Sequence, residues 1–484
     1  MKKASVSKNY LFNLAYHLIS IFAPLIVVPY VSRILGASGI GIFGYTISIV
    51  TYFVLFGSLG LSLYGQREIA FVQNDKEKRS KVFFELMIIK CISIPIVGLI
   101  FYFVFCRTGE YALYYRILLL ELVGNLVDIS WLYQGLEDFK KVFVRNIIIK
   151  LLYVVCSFIF VKTKDDIGIY LLIYSLSTLL GSLTLFINLN KIIEKPNKIE
   201  LKKHIKPLLK LFIPQIAIQV YVVLDKTMIG FILKDMSEVG YYEQAQKIIK
   251  VVLSLVTAIS TVMMPRIAAC YAENDKEKIK EYLFKTFNYA FIISIPMVFG
   301  ILAISSKFVP SFFGEGYWQT VDIMNIMSII IVFISLSNII GVQYLLPTKR
   351  EKGYTTSVVI GAIVNVILNF LLISKYKSYG AAVSTVIAEL SVTCVQFYFI
   401  RKDFNIKDIL KLSKNYIFAG FIMFIICFFF NKAEFVRRTF IIILEIIIGV
   451  VSYFSILLLM KDKFLLDIYN TKFKKYLRVL KKVK

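Results

Sequence analysis

The chain has 484 residues, of which 58% are hydrophobic and 18% are charged, and its formal net charge at pH 7 is +26. A mean hydropathy of +0.74 is far above that of soluble globular domains, so the composition excludes an ordinary water-soluble protein and indicates a membrane protein. The sequence has no GxxxxGK[ST] phosphate loop, and its six cysteines show no CxxC spacing. We therefore expect no direct ATP hydrolysis, no cofactor and no metal site.

Long apolar runs alternate with short charged connectors along the chain. A bilayer core about 30 Å thick requires roughly 20 mostly apolar residues per helix, and the runs have that length. They are continuous, as in FIICFFF at 424–430, whereas the strands of a membrane β-barrel alternate apolar and polar residues. The predicted fold class is an all-α polytopic membrane protein with about fourteen transmembrane helices, near residues 9–32, 40–65, 82–105, 112–134, 143–162, 168–190, 208–233, 239–267, 283–305, 320–346, 355–374, 378–400, 415–430 and 438–460.

The positive charges are distributed unevenly between the two sides of this predicted bundle. With a cytoplasmic N-terminus, the even-numbered connections and the two tails hold about 40 of the 57 Lys and Arg residues, against about 11 in the odd-numbered connections. This excess predicts that both termini are cytoplasmic, and that the basic start MKKASVSKNY precedes a retained first helix rather than a cleaved signal peptide. The net charge then requires no nucleic acid, because the basic residues face the cytoplasm and anionic lipid headgroups. The tail at 472–484 predicts an amphipathic helix on the inner surface of the membrane.

A charged phrase occurs twice, 200 residues apart. NDKEKRSKVF begins at Asn74 and NDKEKIKEYL begins at Asn274, and upstream of them SGIGIF from Ser38 aligns with SEVGYY from Ser237. Each phrase follows the second helix of its half. Two units of six helices in one orientation predict a parallel repeat about an axis along the membrane normal, with a binding site between the halves near mid-membrane. Chance similarity of short charged loops is the alternative.

The repeat predicts the domain organisation. We expect a six-helix bundle at 1–195, a second six-helix bundle at 196–405, two accessory transmembrane helices at 406–460 and a basic cytoplasmic tail at 461–484. Such an architecture is typical of secondary-type membrane transporters rather than enzymes.

Five segments of the chain carry a resemblance to a known family. They are PYVSRILGASGIGIFGY at 29–45, WLYQGLEDF at 131–139, FIPQIAIQVYVVLDKTMIG at 212–230, VGYYEQAQKI at 239–248 and MMPRIA at 263–268. In combination these segments resemble the bacterial polysaccharide (O-antigen, capsule and exopolysaccharide) repeat-unit flippases of the multidrug/oligosaccharidyl-lipid/polysaccharide exporter superfamily. The resemblance implies two six-helix bundles that form a V-shaped cavity, two accessory helices, and movement of an undecaprenyl-pyrophosphate-linked oligosaccharide from the inner to the outer leaflet of the bacterial cytoplasmic membrane.

Charged residues inside the predicted spans are the candidate site residues, because each costs about 2.5 to 3.5 kcal/mol near the bilayer centre unless it snorkels or pairs. In helix eight, Glu243, Lys247 and Lys250 are spaced by four and three residues, which places them on one helical face. Lys247 and Lys250 are expected roughly 12 and 16 Å deep. The aligned positions in helix two are Ser48 and Thr51, so the fold itself does not require cations there. We predict that the lysines line a cavity; internal ion pairs with Glu243 or another acid are the alternative.

Other spans contribute further candidates. Adjacent residues diverge by about 100° around a helix, so one of Asp225 and Lys226 in helix seven is expected to face the cavity while the other pairs. Arg33 is either an anchor or a gate at the outer end of helix one. Lys90 and Lys150 lie close enough to helix ends to snorkel.

An anionic pyrophosphate suits lysine as a mobile point charge, and tyrosines offer flat surfaces and hydroxyl groups to sugars. In helix one, His17 could titrate near neutral pH, although a packing role is the alternative. The predicted substrate-binding residues are Lys247, Lys250, Lys226, Arg33, Arg116 and Tyr242, and the predicted ion-coupling or pairing residues are Asp225, Glu243, Asp128 and His17.

Two other functions remain open from the residues. A multidrug cation antiporter of the same superfamily would require carboxylates for its cation, whereas helices seven and eight are richer in lysine. A non-transporting membrane scaffold of a glycan-assembly complex would have no use for buried lysines. The expected partners of a flippase are its lipid-linked oligosaccharide, the phospholipid bilayer, a polysaccharide polymerase and the chain-length machinery.

Overall fold

The computed structural model describes residues 6–196, 198–257, 260–431 and 438–468, and within them every side chain except those of residues 6–24, 139, 213–214, 217–218, 220–221, 261–262, 431 and 438–440. All regular structure in these ranges is helical. The α-helices are α1 Val6–Ser58, α2 Leu61–Phe71, α3 Lys76–Phe101, α4 Ala112–Leu126, α5 Ser130–Gly135, α6 Phe139–Phe160, α7 Ile167–Thr184, α8 Lys202–Leu233, α9 Met236–Thr257, α10 Ser260–Ala272, α11 Lys276–Phe313, α12 Trp318–Ser328, α13 Ile330–Ser337, α14 Glu351–Ile400, α15 Ile406–Asn431, α16 Arg438–Leu459 and α17 Lys463–Ile468.

In the described ranges, nine helical segments are long and apolar enough to cross a membrane. Two of them, Leu25–Phe71 and Glu351–Ile400, have 47 and 50 residues, which at about 1.5 Å per residue is more than twice the thickness of a bilayer core. Within α1 the backbone of Gly36 (φ 67°) is non-helical, and within α14 that of Lys377 (φ 53°) is non-helical. These breaks lie where the sequence predicts that one span ends and the next begins. The all-helical fold is confirmed, and the count of fourteen spans stays a prediction.

The chain forms two compact units, residues 1–243 and 244–484. The first unit includes α8, which packs on α1 and α2, although the repeat predicts α8 as the first helix of the second bundle. The predicted domain boundaries therefore stay a proposal. The predicted amphipathic helix at 472–484 lies outside the described residues.

In the first unit, α1 and the start of α9 approach each other at two glycines. A Cβ atom on Gly41 would overlap the carbonyl oxygen of Met236, and one on Gly240 would overlap the carbonyl oxygen of Ala37. The two contacts are reciprocal. When SGIGIF is aligned with SEVGYY, Gly41 corresponds to Gly240, and Ala37, just before the first segment, corresponds to Met236, just before the second. The repeated motif thus packs against its own second copy, as a pseudo-twofold relation requires.

The repeated NDKEK phrase forms the same helix cap twice. Asp75 accepts a hydrogen bond from the backbone N–H of Lys78 at 3.0 Å and begins α3, and Asp275 does the same with Lys278 at 3.0 Å and begins α11. The hydrogen bonds from Lys78 lower the pKa of Asp75, and those from Lys278 lower the pKa of Asp275. A lowered carboxyl pKa stabilises the fold above the ordinary range of that pKa, and the stabilisation disappears as pH falls through the lowered value.

The predicted helix 112–134 is interrupted. α4 ends at Leu126, and α5 begins at Ser130, whose backbone N–H and hydroxyl donate to the Asp128 carboxylate at 2.9 and 3.1 Å. Lys90 donates to the carbonyl oxygen of Asp128 at 2.8 Å and is only 3% exposed. The prediction that Lys90 snorkels is therefore wrong, because its ammonium group satisfies a carbonyl that the helix break leaves without an intrahelical partner.

The second unit is organised around α11. α15 packs along α11, and α16 packs on both, over a core that includes Phe287, Tyr416 and Tyr453. Glu445 of α16 is paired with Lys307 of α11 at 3.4 Å. The two predicted accessory helices are α15 and α16. Both pack on α11 through apolar side chains, and α16 adds the Glu445–Lys307 ion pair.

The glycine contact yields a stability prediction. We expect Gly41→Ala and Gly240→Ala each to destabilise the protein by about 1 to 3 kcal/mol, because the added methyl group must push a backbone carbonyl away. Gly300→Ala in α11 is the control, since its Cβ would meet nothing within 4 Å. Thermal unfolding of the three purified variants in detergent checks this. A Gly300 variant as unstable as the other two would contradict it.

Candidate functional site

The predicted site residues of helices seven and eight lie on a helical hairpin. α8 ends at Leu233, and Lys234 closes it in the left-handed conformation with φ 55°. Asp235 then accepts a hydrogen bond from the backbone N–H of Ser237 at 2.9 Å, in the first turn of α9. This short turn returns the chain alongside α8.

Four side chains of this hairpin form a buried group, which we call the polar cluster: Asp225, Lys226, Tyr242 and Glu243. The Tyr242 hydroxyl donates to the Asp225 carboxylate at 2.6 Å, and the Lys226 ammonium lies 2.8 Å from the Glu243 carboxylate. None of the four is more than 8% exposed. Both Asp225 and Lys226 therefore have partners on α9.

The polar cluster lies against α1. Thr227, the residue after Lys226, is 2.8 Å from the Ser48 hydroxyl and 3.3 Å from the Tyr52 hydroxyl. Gly44 stands beside Glu243, where an added Cβ would be 3.5 Å from the side chain. The glycine contact one turn earlier on α1 thus allows α9 to bring its carboxylate close to the α1 backbone.

The lysines on the following turns of α9 differ in exposure. Lys247 is partly buried and Lys250 is exposed, and the Lys250 ammonium donates to the Gln246 side-chain oxygen at 3.0 Å. The polar cluster holds two carboxylates and one ammonium, so it has no surplus of positive charge. A role for Lys226 in substrate binding stays a prediction, as do the roles of Lys247 and Lys250.

Asp128 is placed as a pairing residue. Its carboxylate is 3.2 Å from the Arg145 guanidinium, and it also accepts from the backbone N–H of Ser130 at the start of α5. Arg145, which the sequence analysis did not select, thus holds α6 against the helix break.

The remaining candidates do not gather at the polar cluster in the described structure. Arg116 donates to the carbonyl oxygen of Cys106 at 2.8 Å, which ties the start of α4 to the end of the preceding span. Arg33 is exposed near the Gly36 kink. The side chain of His17 lies outside the described residues.

A second buried polar group contains none of the predicted site residues. His204 and Glu85 are 2% and 0% exposed, and the imidazole lies 2.8 Å from the carboxylate. His204 stands in the lysine-rich segment LKKHIKPLLK, where its neighbours suggest a solvated surface. Glu85, an ionisable residue inside α3, was the feature of the sequence that could have indicated this group.

A double-mutant cycle tests the Lys226–Glu243 pair. We expect Lys226→Met to destabilise the protein by about 3 to 5 kcal/mol, because it leaves a buried carboxylate without its ammonium partner. Lys226→Met combined with Glu243→Gln should cost less than the sum of the two single changes. Thermal or denaturant unfolding in detergent measures the coupling, and strictly additive losses would contradict a direct pair.

The sequence of the chain matches two family models and resembles individual proteins. The model of the family described as polysaccharide biosynthesis protein matches residues 6–271, and the MatE model matches residues 211–371. A putative O-antigen transporter of Escherichia coli strain K12 is 27% identical over 83% of this chain and 98% of its own length. The capsular polysaccharide biosynthesis protein CapF of Staphylococcus aureus is 19% identical over 82% of this chain and 100% of its own length.

Two solved structures share the fold. The lipid II flippase MurJ in an inward closed conformation has a TM-score of 0.71 at 18% identity, over 93% of this chain and 99% of that one. An inward-facing multidrug resistance MATE transporter of the MOP superfamily has a TM-score of 0.64 at 15% identity, over 84% of this chain and 99% of that one. Because the first family model covers more than half of the residues, the chain belongs to the polysaccharide biosynthesis protein family.

Proposed function

We propose that this protein is a flippase that moves an undecaprenyl-pyrophosphate-linked oligosaccharide from the inner to the outer leaflet of the bacterial cytoplasmic membrane. One observation carries the proposal: the similarity to a putative O-antigen transporter extends over 83% of this chain and 98% of the relative. A likeness over nearly a whole chain supports a shared transport activity, whereas a match to one segment would support only a shared fold.

The charges of α9 support an anionic substrate. Lys247 and Lys250 follow the polar cluster by one and two turns, and the apolar run VVLSLV follows them in α9. Two ammonium groups three residues apart lie on one helical face and together attract an anion. Pyrophosphate offers two phosphoryl groups to two ammonium groups, and their attraction strengthens where the local dielectric constant is low.

The direction of transport follows from the proposed orientation. The excess of Lys and Arg in the even-numbered connections supports cytoplasmic termini, and lipid-linked sugars are then loaded on the lysine-rich side. Moving one negative charge outward across an inside-negative potential of 100 mV is favourable by about 2.3 kcal/mol, which would favour export of a pyrophosphate.

Depletion of the protein tests the function directly. If the protein is a flippase, its depletion should cause lipid-linked oligosaccharide to accumulate in the inner leaflet while synthesis continues. Leaflet-specific labelling of the sugars measures this accumulation. Loss of synthesis itself would instead support the scaffold function.

A multidrug cation antiporter is the second candidate, because the MatE model matches residues 211–371 and MATE structures share the fold. Drug sensitivity on depletion, with normal export of the oligosaccharide, would support it. The two lysines of α9 favour an anion over a cation.

Substitution of the lysines gives the sharpest prediction. We expect Lys247→Gln and Lys250→Gln each to lower surface polysaccharide export by roughly tenfold or more, since a hydrogen bond to a charged group is worth about 1.5 to 3 kcal/mol. Membrane abundance should stay normal if the two lysines serve the substrate rather than the fold. Arginine at either position should restore export in part.

The matched control is Lys280→Gln, which removes an exposed lysine from the start of α11. Export and membrane abundance are measured together by sugar analysis and immunoblotting. Normal export from both α9 variants would overturn the cationic site, and a parallel fall of abundance and export would instead assign the lysines to structural ion pairs.

A further inference from the structure

A cavity of about 640 Å³ lies in the first unit between the end of α2 and the start of α8. Apart from Pro207 and Leu211, every lining residue is a cation. We call this cavity the basic pocket and define it by its five cationic residues, Arg67, Lys202, Lys203, Lys206 and Lys210. The pocket is separate from the polar cluster, and the proposed transport of an oligosaccharide does not account for it.

Three of these cations are arranged along one face of α8. Lys202, Lys206 and Lys210 are spaced by four residues, so they lie one above the other and repel one another. In the part of the chain that the structure describes, no carboxylate is within 4.0 Å of any of the three ammonium groups, whereas nearby Lys76 and Lys81 are paired with Glu194 and Glu200. The repulsion in the pocket therefore has no internal compensation.

The wall of the pocket is fixed by the buried histidine. The His204 ring contacts α2 and α3, with Nδ1 2.8 Å from the Tyr64 hydroxyl of α2 and Nε2 2.8 Å from the Glu85 carboxylate of α3. Glu85 also accepts from the Lys203 ammonium at 2.9 Å and from the Glu200 backbone N–H at 2.7 Å. These bonds hold the first turn of α8 against α2 and α3, so the cations are positioned before any ligand arrives.

The other side of the pocket is held in a similar way. The Arg67 guanidinium lies 5.2 Å from the centre of the Tyr64 ring and 2.9 Å from the Glu68 carboxylate. Arg67 and Lys203 are thus each neutralised by an acid, while Lys202, Lys206 and Lys210 supply the uncompensated charge.

The helices that carry these cations also carry exposed apolar side chains. Leu63 of α2 and Ile205 and Leu209 of α8 are 56%, 49% and 46% exposed. Exposed aliphatic groups beside lysines are typical of a protein surface at the boundary between headgroups and acyl chains. A fully water-soluble anion would make no use of them, whereas a lipid would contact both kinds of group.

We propose that the basic pocket binds the phosphate-bearing headgroup of an inner-leaflet lipid, with its chains over Ile205 and Leu209. Two lipids share this chemistry: an anionic phospholipid and a polyprenyl pyrophosphate. In the second case the pocket is a loading site for the substrate, and only this case rests on the proposed function. The binding itself is independent of transport.

Binding is measured on the full-length protein in phosphatidylcholine nanodiscs by native mass spectrometry and by thermal stabilisation. Phosphatidylglycerol, undecaprenyl pyrophosphate and inorganic pyrophosphate are added separately. Lys206→Gln/Lys210→Gln should weaken lipid binding by roughly tenfold or more, and Lys206→Arg/Lys210→Arg should retain it.

The control is Lys276→Gln/Lys280→Gln, which removes two charges at the same spacing from exposed positions of α11. Each variant is first unfolded without lipid, so that a loss of fold is separated from a loss of binding. Preferential retention of phosphatidylglycerol or of undecaprenyl pyrophosphate identifies the ligand. This result would stand even if the export measurements showed that the protein does not transport oligosaccharide. Equal losses in the pocket and control variants, tight binding of inorganic pyrophosphate alone, or no lipid preference would each overturn the proposal.

Discussion

The close approach of α1 and α9 at Gly41 and Gly240 is the constraint on which the first unit depends. At this point no side chain separates the two backbones, and any Cβ atom would overlap a carbonyl oxygen. Small residues permit such contacts in membranes, where association relies on van der Waals packing rather than on the hydrophobic effect. Because α9 is held this close, Glu243 comes to lie beside Gly44, and the polar cluster is buried against α1.

The charges of the first unit fall into two groups with different roles. Lys226, Glu85 and Lys90 are buried and have partners within the protein, because an isolated charge would not be tolerated there. Lys206 and Lys210 are exposed and lie beside other cations. The first group stabilises the positions of helices, whereas the second group creates a positive potential that a bound anion would relieve. Buried charges of this unit thus require partners within the protein, whereas the exposed cations of the basic pocket are the ones that the proposed lipid would neutralise.

Sequence patterns were sufficient for the all-helical fold and for the junctions at Gly36 and Lys377, because apolar run length is a local property. They also matched the two NDKEK phrases, although the helix caps that these phrases form were found only in the structure. Lys90 was misplaced because its partner is a carbonyl that becomes available only when α4 ends before Asp128. The His204–Glu85 contact joins residues of different helices, and a single sequence holds no signal for such a pairing. The sequence predicted that one of Asp225 and Lys226 would pair and the other would face a cavity. In the structure both have partners on α9, because the α8–α9 turn brings the two helices alongside each other.

The reciprocal contact also bears on the origin of the chain. Gly41 with Met236 and Gly240 with Ala37 exchange roles when the two halves are interchanged, as do the contacts of an isologous dimer. An ancestral half-length chain with this motif would carry both sides of the contact on one surface and would associate with itself. Duplication and fusion would then free each copy from the need to serve both positions. The two copies now differ, with Ser48 and Thr51 in one at the positions of Lys247 and Lys250 in the other, an asymmetry that two identical chains could not have.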